Sequence, residues 1–265
     1  MEKKWRLILD GKGDGYYNMA ADEAIFACYP QQKIPTLRIY GWQHPFISLG
    51  YNQEASRVLI FKELTPFTRR ITGGASILHN KELTYSIVCR RGELNLGRSV
   101  KESYEAIASF LINFYFLLGL KAQFAQELSF DGLGEYKNFC YSCYEHFDIL
   151  INRKKIGGNA QRRKKNIIFQ HGSIPQEVDL KMVRRVIKDT VHLEEKITFL
   201  NAALGRETDF FQLRLLLAQS FEDTFGVDLL LDEFTKEEKL ICKDLIENKY
   251  RQDSWNFRYE KTPLA

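Results

Sequence analysis

The chain has 265 residues, 45% hydrophobic and 27% charged, the balance of an ordinary soluble globular protein with chain enough for a sizeable core. Its longest apolar run, Phe110 to Leu118, is broken by Asn113 and falls well short of the roughly 20 residues that span a bilayer, so no membrane role is expected. Five scattered cysteines are unlike a secreted disulfide framework, MEKKWRLILD lacks an apolar leader, and the net charge of +4 is mild, so a cytoplasmic setting is expected.

Trp5 to Leu9 reads as a first strand, closed by Asp10 and a Gly-rich turn. Asn18 is placed to cap a helix, and Met19 to Ala27 is rich in helix formers with acids in the first turn. Short strands follow at Thr36 to Tyr40 and Phe46 to Leu49, on either side of Gly41-Trp42-Gln43-His44-Pro45. Trp42 fits either the core or the wall of a pocket. Phe67 to Arg70 leads into Ile71-Thr72-Gly73-Gly74-Ala75-Ser76-Ile77-Leu78-His79, where paired arginines meet paired glycines and an apolar run ends in a histidine. Glycines let a backbone approach a ligand and turn its N–H groups toward negative oxygens. Glu82 to Val88 then alternates as a strand should.

Val100 to Leu118 carries Tyr104, Ile107, Ala108, Leu111 and Phe114 at helical spacing, and Gly119 is placed as its C-terminal cap. Ala125 to Asn138 is polar and reads as a mobile loop. His146 to Ile151 and Ile167 to Ile174 read as strands, with Asn152-Arg153-Lys154 as a turn between the first and Lys155-Ile156. Helices are expected near Leu180 to Thr190, Phe210 to Phe225 and Lys236 to Lys249. Strands early and helices late give an α+β class, in a single domain over residues 1–265 with a core of about 5–225 and a helical segment beyond it.

The chemistry gathers between Cys140 and Ser173. Cys140 and Cys143 form a C-x-x-C, but zinc wants a second ligand pair, and His146 with His171 would be an improvised set. A redox pair wants the motif to open a helix, whereas here the chain continues into a strand. That leaves a single nucleophilic cysteine, its thiolate favoured by nearby positive charge, while Cys28, Cys89 and Cys242 fit buried apolar roles. Lys155, ahead of Ile156-Gly157-Gly158-Asn159-Ala160-Gln161, could stabilise an oxyanion beside close backbone amides. His79 and His171 fit acid–base groups or buried hydrogen-bonded residues equally. Arg153, Lys154, Lys155, Arg162, Arg163, Lys164 and Lys165 read as one basic hairpin that suits nucleic acid, an acidic protein or plain solvent.

These residues resemble the lipoate–protein ligase and octanoyltransferase superfamily, whose fold is shared with biotin–protein ligase. Arg69-Arg70-Ile71-Thr72-Gly73-Gly74 with His79 is similar to its R-R-x-[ST]-G-G-x₄-H signature. Lys155-Ile156-Gly157-Gly158-Asn159-Ala160 is similar to its K-[VI]-x-G-[SN]-A, and His171-Gly172-Ser173-Ile174 to its H-G-[ST]-[IL]. Within the superfamily the LipM-type octanoyltransferases are most similar, because their cysteine stands before the lysine strand and Cys140 precedes Phe147 at the same spacing. The chain departs from that group in lacking its Pro-Ser, and Cys143 has no counterpart there. Ala75 stands where ATP-dependent ligases usually have a third glycine.

The resemblance implies a mixed, largely antiparallel sheet with flanking helices. It implies an acyltransferase that moves octanoate from octanoyl-acyl carrier protein through an acyl-Cys140 thioester to a lipoyl-domain lysine, as in the glycine cleavage H protein or a dehydrogenase E2 subunit. Cys140 and Lys155 would be catalytic, and Arg70, Thr72, Gly73, Gly74, His79, Gly157 and Gly158 would bind the acyl group. No metal or cofactor is expected, nor a nucleic-acid or membrane partner. Two alternatives keep the fold: an ATP- and Mg-dependent lipoate–protein ligase, with Lys155 holding an acyl-adenylate, or a non-catalytic acyl- or nucleotide-binding protein. An RNA-binding module is the remaining reading, and it lacks paired exposed aromatics.

Overall fold

A computed structural model describes residues 4–60, 65–94, 96–97, 99–128, 138–142, 144–190 and 192–259. In chain order its strands are β1 (Lys4–Gly13), β2 (Thr36–Trp42), β3 (Phe46–Leu49), β4 (Phe67–Arg69), β5 (Ile77–His79), β6 (Glu82–Arg90), β7 (Ala122–Phe124), β8 (Ile149–Ile151), β9 (Lys154–Lys155), β10 (Gly158–Lys164), β11 (Ile167–Pro175) and β12 (Asp228–Leu231). The helices are α1 (Gly15–Gln32), α2 (Ala55–Val58), α3 (Val100–Leu117), α4 (Leu180–Val186), α5 (Leu193–Lys196), α6 (Leu200–Leu204), α7 (Phe210–Phe225), α8 (Lys236–Leu245) and α9 (Asp253–Asn256). None of the described helices is long and apolar enough to cross a membrane.

Six strands form one sheet in the order β10-β11-β6-β2-β1-β12, and two smaller sheets run β4-β3-β5 and β7-β8-β9. β1 is parallel to β2 and β12, whereas β2, β6, β11 and β10 pair antiparallel. This is the mixed, largely antiparallel α+β architecture expected. β6 is central and its side chains alternate between two buried faces. Leu83, Tyr85, Ile87 and Cys89 join Leu37 and Ile39 of β2 in an apolar core with α3 and α7. The opposite face turns Glu82, Thr84 and Ser86 inward alongside Arg38 and Tyr40, all buried. The same alternation in β11 sends Ile168 and Ile174 to the apolar core, and His171 and Ser173 to the polar face. One face of the sheet therefore holds the fold together, and the other carries buried chemistry.

α1 lies over the polar face. Its Ala20, Ala21 and Ala24 are fully buried, which brings the helix backbone close to the strands, and it carries Asp22 down to them. The Asp22 carboxylate accepts from Arg38 Nη1 at 2.7 Å, Tyr40 Oη at 2.8 Å and Ser86 Oγ at 2.7 Å. The helix cap is Asp14, which accepts from the N–H groups of Tyr16 and Tyr17, rather than Asn18. Asn18 instead sits inside the helix, where its amide donates to the Gly41 carbonyl and accepts from Arg38. α3 begins with a reciprocal Ser99–Glu102 capping box, and its Phe110 packs edge-on against Phe221 of α7.

Other expectations shift at their edges. The strand expected from His146 starts only at Ile149, because Glu145 to Asp148 make a tight turn closed by the Asp148 N–H on the Glu145 carbonyl. The helix expected to Lys249 ends as α8 at Leu245 and continues as a π-turn, Ile246–Tyr250, while the one near Leu180 ends at Val186. β10 is an unexpected strand: the stretch after Lys155, to which the sequence reading assigns no strand, pairs with β11 from Gly158↔Ser173 to Lys164↔Ile167. The basic run consequently lies on two hairpins in different sheets. Most of the mobile loop expected before Asn138, and Cys143, lie outside the described residues.

Candidate active site

A small cavity, about 40 Å³, opens against the polar face of the large sheet, with Cys140, Arg70, Gly74, His79, Gly158 and His171 among its walls. Cys140 stands on a single 3-10 turn, Cys140–Ser142, pinned to the chain entering β5 by its own N–H to the Ser76 carbonyl at 2.9 Å. Its sulfur rests on Gly158, where a Cβ would fall 2.7 Å from Cys140 Sγ. Only glycine leaves the thiol this seat.

Lys155 is buried, and its ammonium sits behind the nucleophile rather than in the cavity wall. Nζ donates to the Cys140 main-chain carbonyl at 2.9 Å and to Asp148 Oδ2 at 2.6 Å. Strand geometry explains the ion pair. Leu150 opposes Lys155 in the β8–β9 hairpin, so Asp148 is the diagonal neighbour on the same face. Asp148 Oδ2 also accepts from the Glu145 N–H at 2.7 Å, tying the chain after Cys140 to the lysine. Sequence reasoning missed Asp148. Its signal was present: it is an acid two residues ahead of the position opposite Lys155 across a short turn.

The first motif forms a buried chain of hydrogen bonds with Arg70 at its centre. Arg70 Nε donates to Thr72 Oγ1 at 3.1 Å, and Nη1 reaches Ser48 Oγ at 3.3 Å. Thr72 Oγ1 lies 2.7 Å from His171 Nε2, and Ser48 Oγ lies 2.7 Å from His79 Nε2. An ionised carboxylate can only accept, so a neutral imidazole that turns its Nδ1–H to one is left to accept from the hydroxyl at Nε2. Both imidazoles then carry Nδ1–H, facing Asp22 at 3.7 Å from His171 and Glu82 at 2.8 Å from His79. Trp42 is core: it is buried and stacks on the far side of the site's His79 ring at 3.9 Å.

Of the expected acyl-binding residues, the structure brings Arg70, Gly74, His79 and Gly158 to the cavity together with Cys140. Thr72 reaches it through His171. Gly73 and Gly157 stand off it. The Gly73 carbonyl accepts from Arg70 Nη2 at 2.6 Å, and a Cβ on Gly157 would meet the Ser173 carbonyl oxygen at 2.5 Å. Gly74 alone of the first pair needs glycine's freedom, at φ +84°.

Residues 14–222 match the lipoyl protein ligase A/B catalytic domain. The chain belongs to that family. An octanoyltransferase LipM from Kyrpidia tusciae is 34% identical over 274 residues, spanning 96% of this chain and 98% of its own length. A bi-partite lipoate protein ligase from Thermoplasma acidophilum, analysed with its E2 lipoyl domain, has a TM-score of 0.79 at 22% identity and covers 99% of each chain. A lipoate-protein ligase A bound with ATP has a TM-score of 0.81 at 23% identity, covering 96% of this chain and 98% of the ligase. The lipoate-ligase-like fold expected from the motifs is the fold found, and the chain is an enzyme of this family.

In this family member the charges around the cavity are sorted by burial. Burial alone would raise the Asp22 carboxyl, but Arg38, then His171 and Ser86, outweigh it and hold it below the ordinary carboxylate value. Burial pushes His171 below its ordinary 6.5, more than Asp22 raises it, and Arg70 and His79 push the same way. In acid the unfolded chain therefore takes up the His171 proton before the native one does. Stability is full above about 6.5, falls as pH drops below it, and falls again below 3.8 as Asp22 is protonated. Urea midpoints measured from neutral pH downward should show this loss, and His171→Gln should flatten its first part.

The basic run is only partly a surface. Lys155 is buried, Lys154 donates to the Glu194 carbonyl at 2.8 Å, and Arg163 is drawn onto Ser99 and Ser103 of the α3 cap. Arg153, Arg162, Lys164 and Lys165 are exposed. Arg162 also lies over the Tyr51 ring at 5.2 Å and donates to the Ile71 carbonyl at 2.7 Å, next to Thr72. Among the described residues, no three His, Cys, Asp or Glu side chains gather as a metal site.

Proposed function

We propose that the protein transfers an octanoyl group from octanoyl-acyl carrier protein to the lysine of a lipoyl-domain protein, through a thioester on Cys140. The acceptor would be a domain such as that of the glycine cleavage H protein or a dehydrogenase E2 subunit. The observation that carries this reading is the seat of Cys140, with its sulfur at a cavity wall on Gly158 and the Lys155 ammonium against its own carbonyl. A full-length relative named as an octanoyltransferase supports it.

In the first half, the Cys140 thiolate attacks the thioester carbonyl, the carbon–sulfur bond to the carrier breaks, and the carrier thiol departs. Lys155 supplies fixed positive charge behind the thiol, where negative charge gathers on sulfur and on the tetrahedral oxygen. The acyl tail enters among Met19, Ala75 and Ile77, gaining about 0.8 kcal/mol for each methylene it buries. In the second half, the acceptor amine attacks octanoyl-Cys140 and leaves with the acyl group as an amide. A thioester is already activated, so the reaction as proposed uses neither ATP nor a metal. Arg153, Arg162, Lys164 and Lys165 suit acidic carriers and acceptors, and the proposed setting is the cytoplasm.

The test is transfer from octanoyl-carrier to a purified lipoyl domain without ATP, read from the acceptor's mass. Octanoylated acceptor that disappears with Cys140→Ser supports the proposal. Modification only when ATP and free lipoate are supplied makes the protein a ligase instead.

A further inference from the structure

Acyl transfer from Cys140 to an amine raises a question that the thiol and the lysine leave open. The attacking nitrogen must shed a proton, and Lys155 already holds its own against Asp148 and the Cys140 carbonyl. Two hydroxyl–imidazole–carboxylate rows end at the cavity, Thr72–His171–Asp22 and Ser48–His79–Glu82, and their acids differ in surroundings. The Asp22 charge is committed to the buried Arg38 guanidinium, and His171 lies 3.7 Å from it. Among the described residues, no lysine or arginine pairs with Glu82. Glu82 is buried and, among the described residues, accepts from His79 Nδ1 at 2.8 Å, Thr84 Oγ1 at 2.6 Å and Ser173 Oγ at 2.7 Å. A carboxylate with hydroxyls and one imidazole around it finds its counter-charge only when that imidazole is protonated.

We infer that His79 accepts the proton from the attacking amine during deacylation of Cys140, with Ser48 passing it inward and Glu82 as the positioning residue. This rests on the octanoyl-Cys140 intermediate proposed above. The amine nitrogen bonds to the thioester carbon, and its proton goes to Ser48 Oγ as the Ser48 proton moves 2.7 Å to His79 Nε2. The carbon–sulfur bond breaks, and the sulfur leaves as thiolate. The same row then returns one proton to Cys140, so each turnover ends with His79 and the thiol as they began. Glu82 fixes Nδ1–H and so keeps Nε2 open to accept. Trp42, stacked on the ring at an interplanar angle of 7° and donating to Thr84, holds the imidazole plane.

The experiment starts from enzyme acylated with octanoyl-pantetheine thioester and follows loss of the acyl group by intact mass. Two amines serve as probes: n-butylamine, which must lose a proton to react, and hydroxylamine, a stronger nucleophile that depends less on a base. Glu82→Gln and His79→Ala should slow butylamine about 100-fold while leaving hydroxylamine within a few-fold, and added imidazole should restore the butylamine rate of His79→Ala. Ser48→Ala, which removes one hydroxyl, should show the same selectivity if His79→Ala does not fold. Wild-type butylamine rates in these variants would overturn the inference. So would equal slowing of both amines without rescue, the mark of a structural role. Failure of the wild-type enzyme to acylate Cys140 at all would instead sink the transferase reading, and this inference with it.

Discussion

Replacing Asp148 by alanine should destabilise the protein by about 3–5 kcal/mol, because the Lys155 ammonium stays buried without its carboxylate. The pair is 2.6 Å long, and both side chains are almost wholly hidden, at 2% and 4% exposure. Solvent therefore offers little relief. Lys155→Met should destabilise for the mirror-image reason and should also slow acylation of Cys140 by roughly 100-fold, the cost of misplacing a reacting group by about 1 Å once the Cys140 carbonyl loses its anchor. The double variant Asp148→Leu/Lys155→Met separates the two effects. Replacing both charges with apolar groups of similar volume should return most of the lost stability, since a buried pair is worth little over good packing. It should return none of the acylation rate. Urea unfolding and acylation rates of the four proteins complete the cycle; recovery of both quantities together would mean that Lys155 only fills space.

Gly158→Ala should behave in the opposite way, leaving stability near wild type while acylation falls about 100-fold, the cost of displacing a reacting group by about 1 Å. The new methyl would stand 2.7 Å from Cys140 Sγ and 3.5 Å from Ile77 Cδ1, and the backbone at this position is not left-handed. The β10–β11 ladder can therefore stay while the sulfur turns away. Gly157→Ala is the instructive neighbour, since its methyl would meet the Ser173 main-chain oxygen at 2.5 Å. It should lose stability first. Two adjacent glycines that look equivalent in the sequence thus have separate duties, and a pair of melts with a pair of acylation rates distinguishes them. Loss of stability without loss of acylation in Gly158→Ala would contradict the seat assigned to the thiol.

Local patterning revealed much of this site. Phe46 to Leu49 and Phe210 to Phe225 are an element each, as read, because their boundaries rest on strand and helix signals close in sequence. The motifs also named part of the cavity wall: Arg70, Gly74, His79, Gly158 and Cys140. What escaped is what depends on how one strand meets the next across a tight turn. Asp148 acquires its role only when Leu150 opposes Lys155, and Glu82 only when β5 brings His79 beside β6. Asn18 looked like a cap because caps and buried amides use the same residue type. Here Asp14 precedes it, and the Gly41 carbonyl and Arg38 claim its amide. β10 escaped because its polar, basic sequence lacks the apolar alternation of its neighbours. It is a sheet edge whose pairing comes from β11.

The most direct test of the central claim is the mass of the intact protein after incubation with octanoyl-carrier thioester in the absence of ATP. The account predicts one octanoyl group per chain, removable by hydroxylamine and absent from Cys140→Ser. An adduct that survives in Cys140→Ser, or no adduct in wild type together with lipoyl transfer that requires ATP, would contradict it.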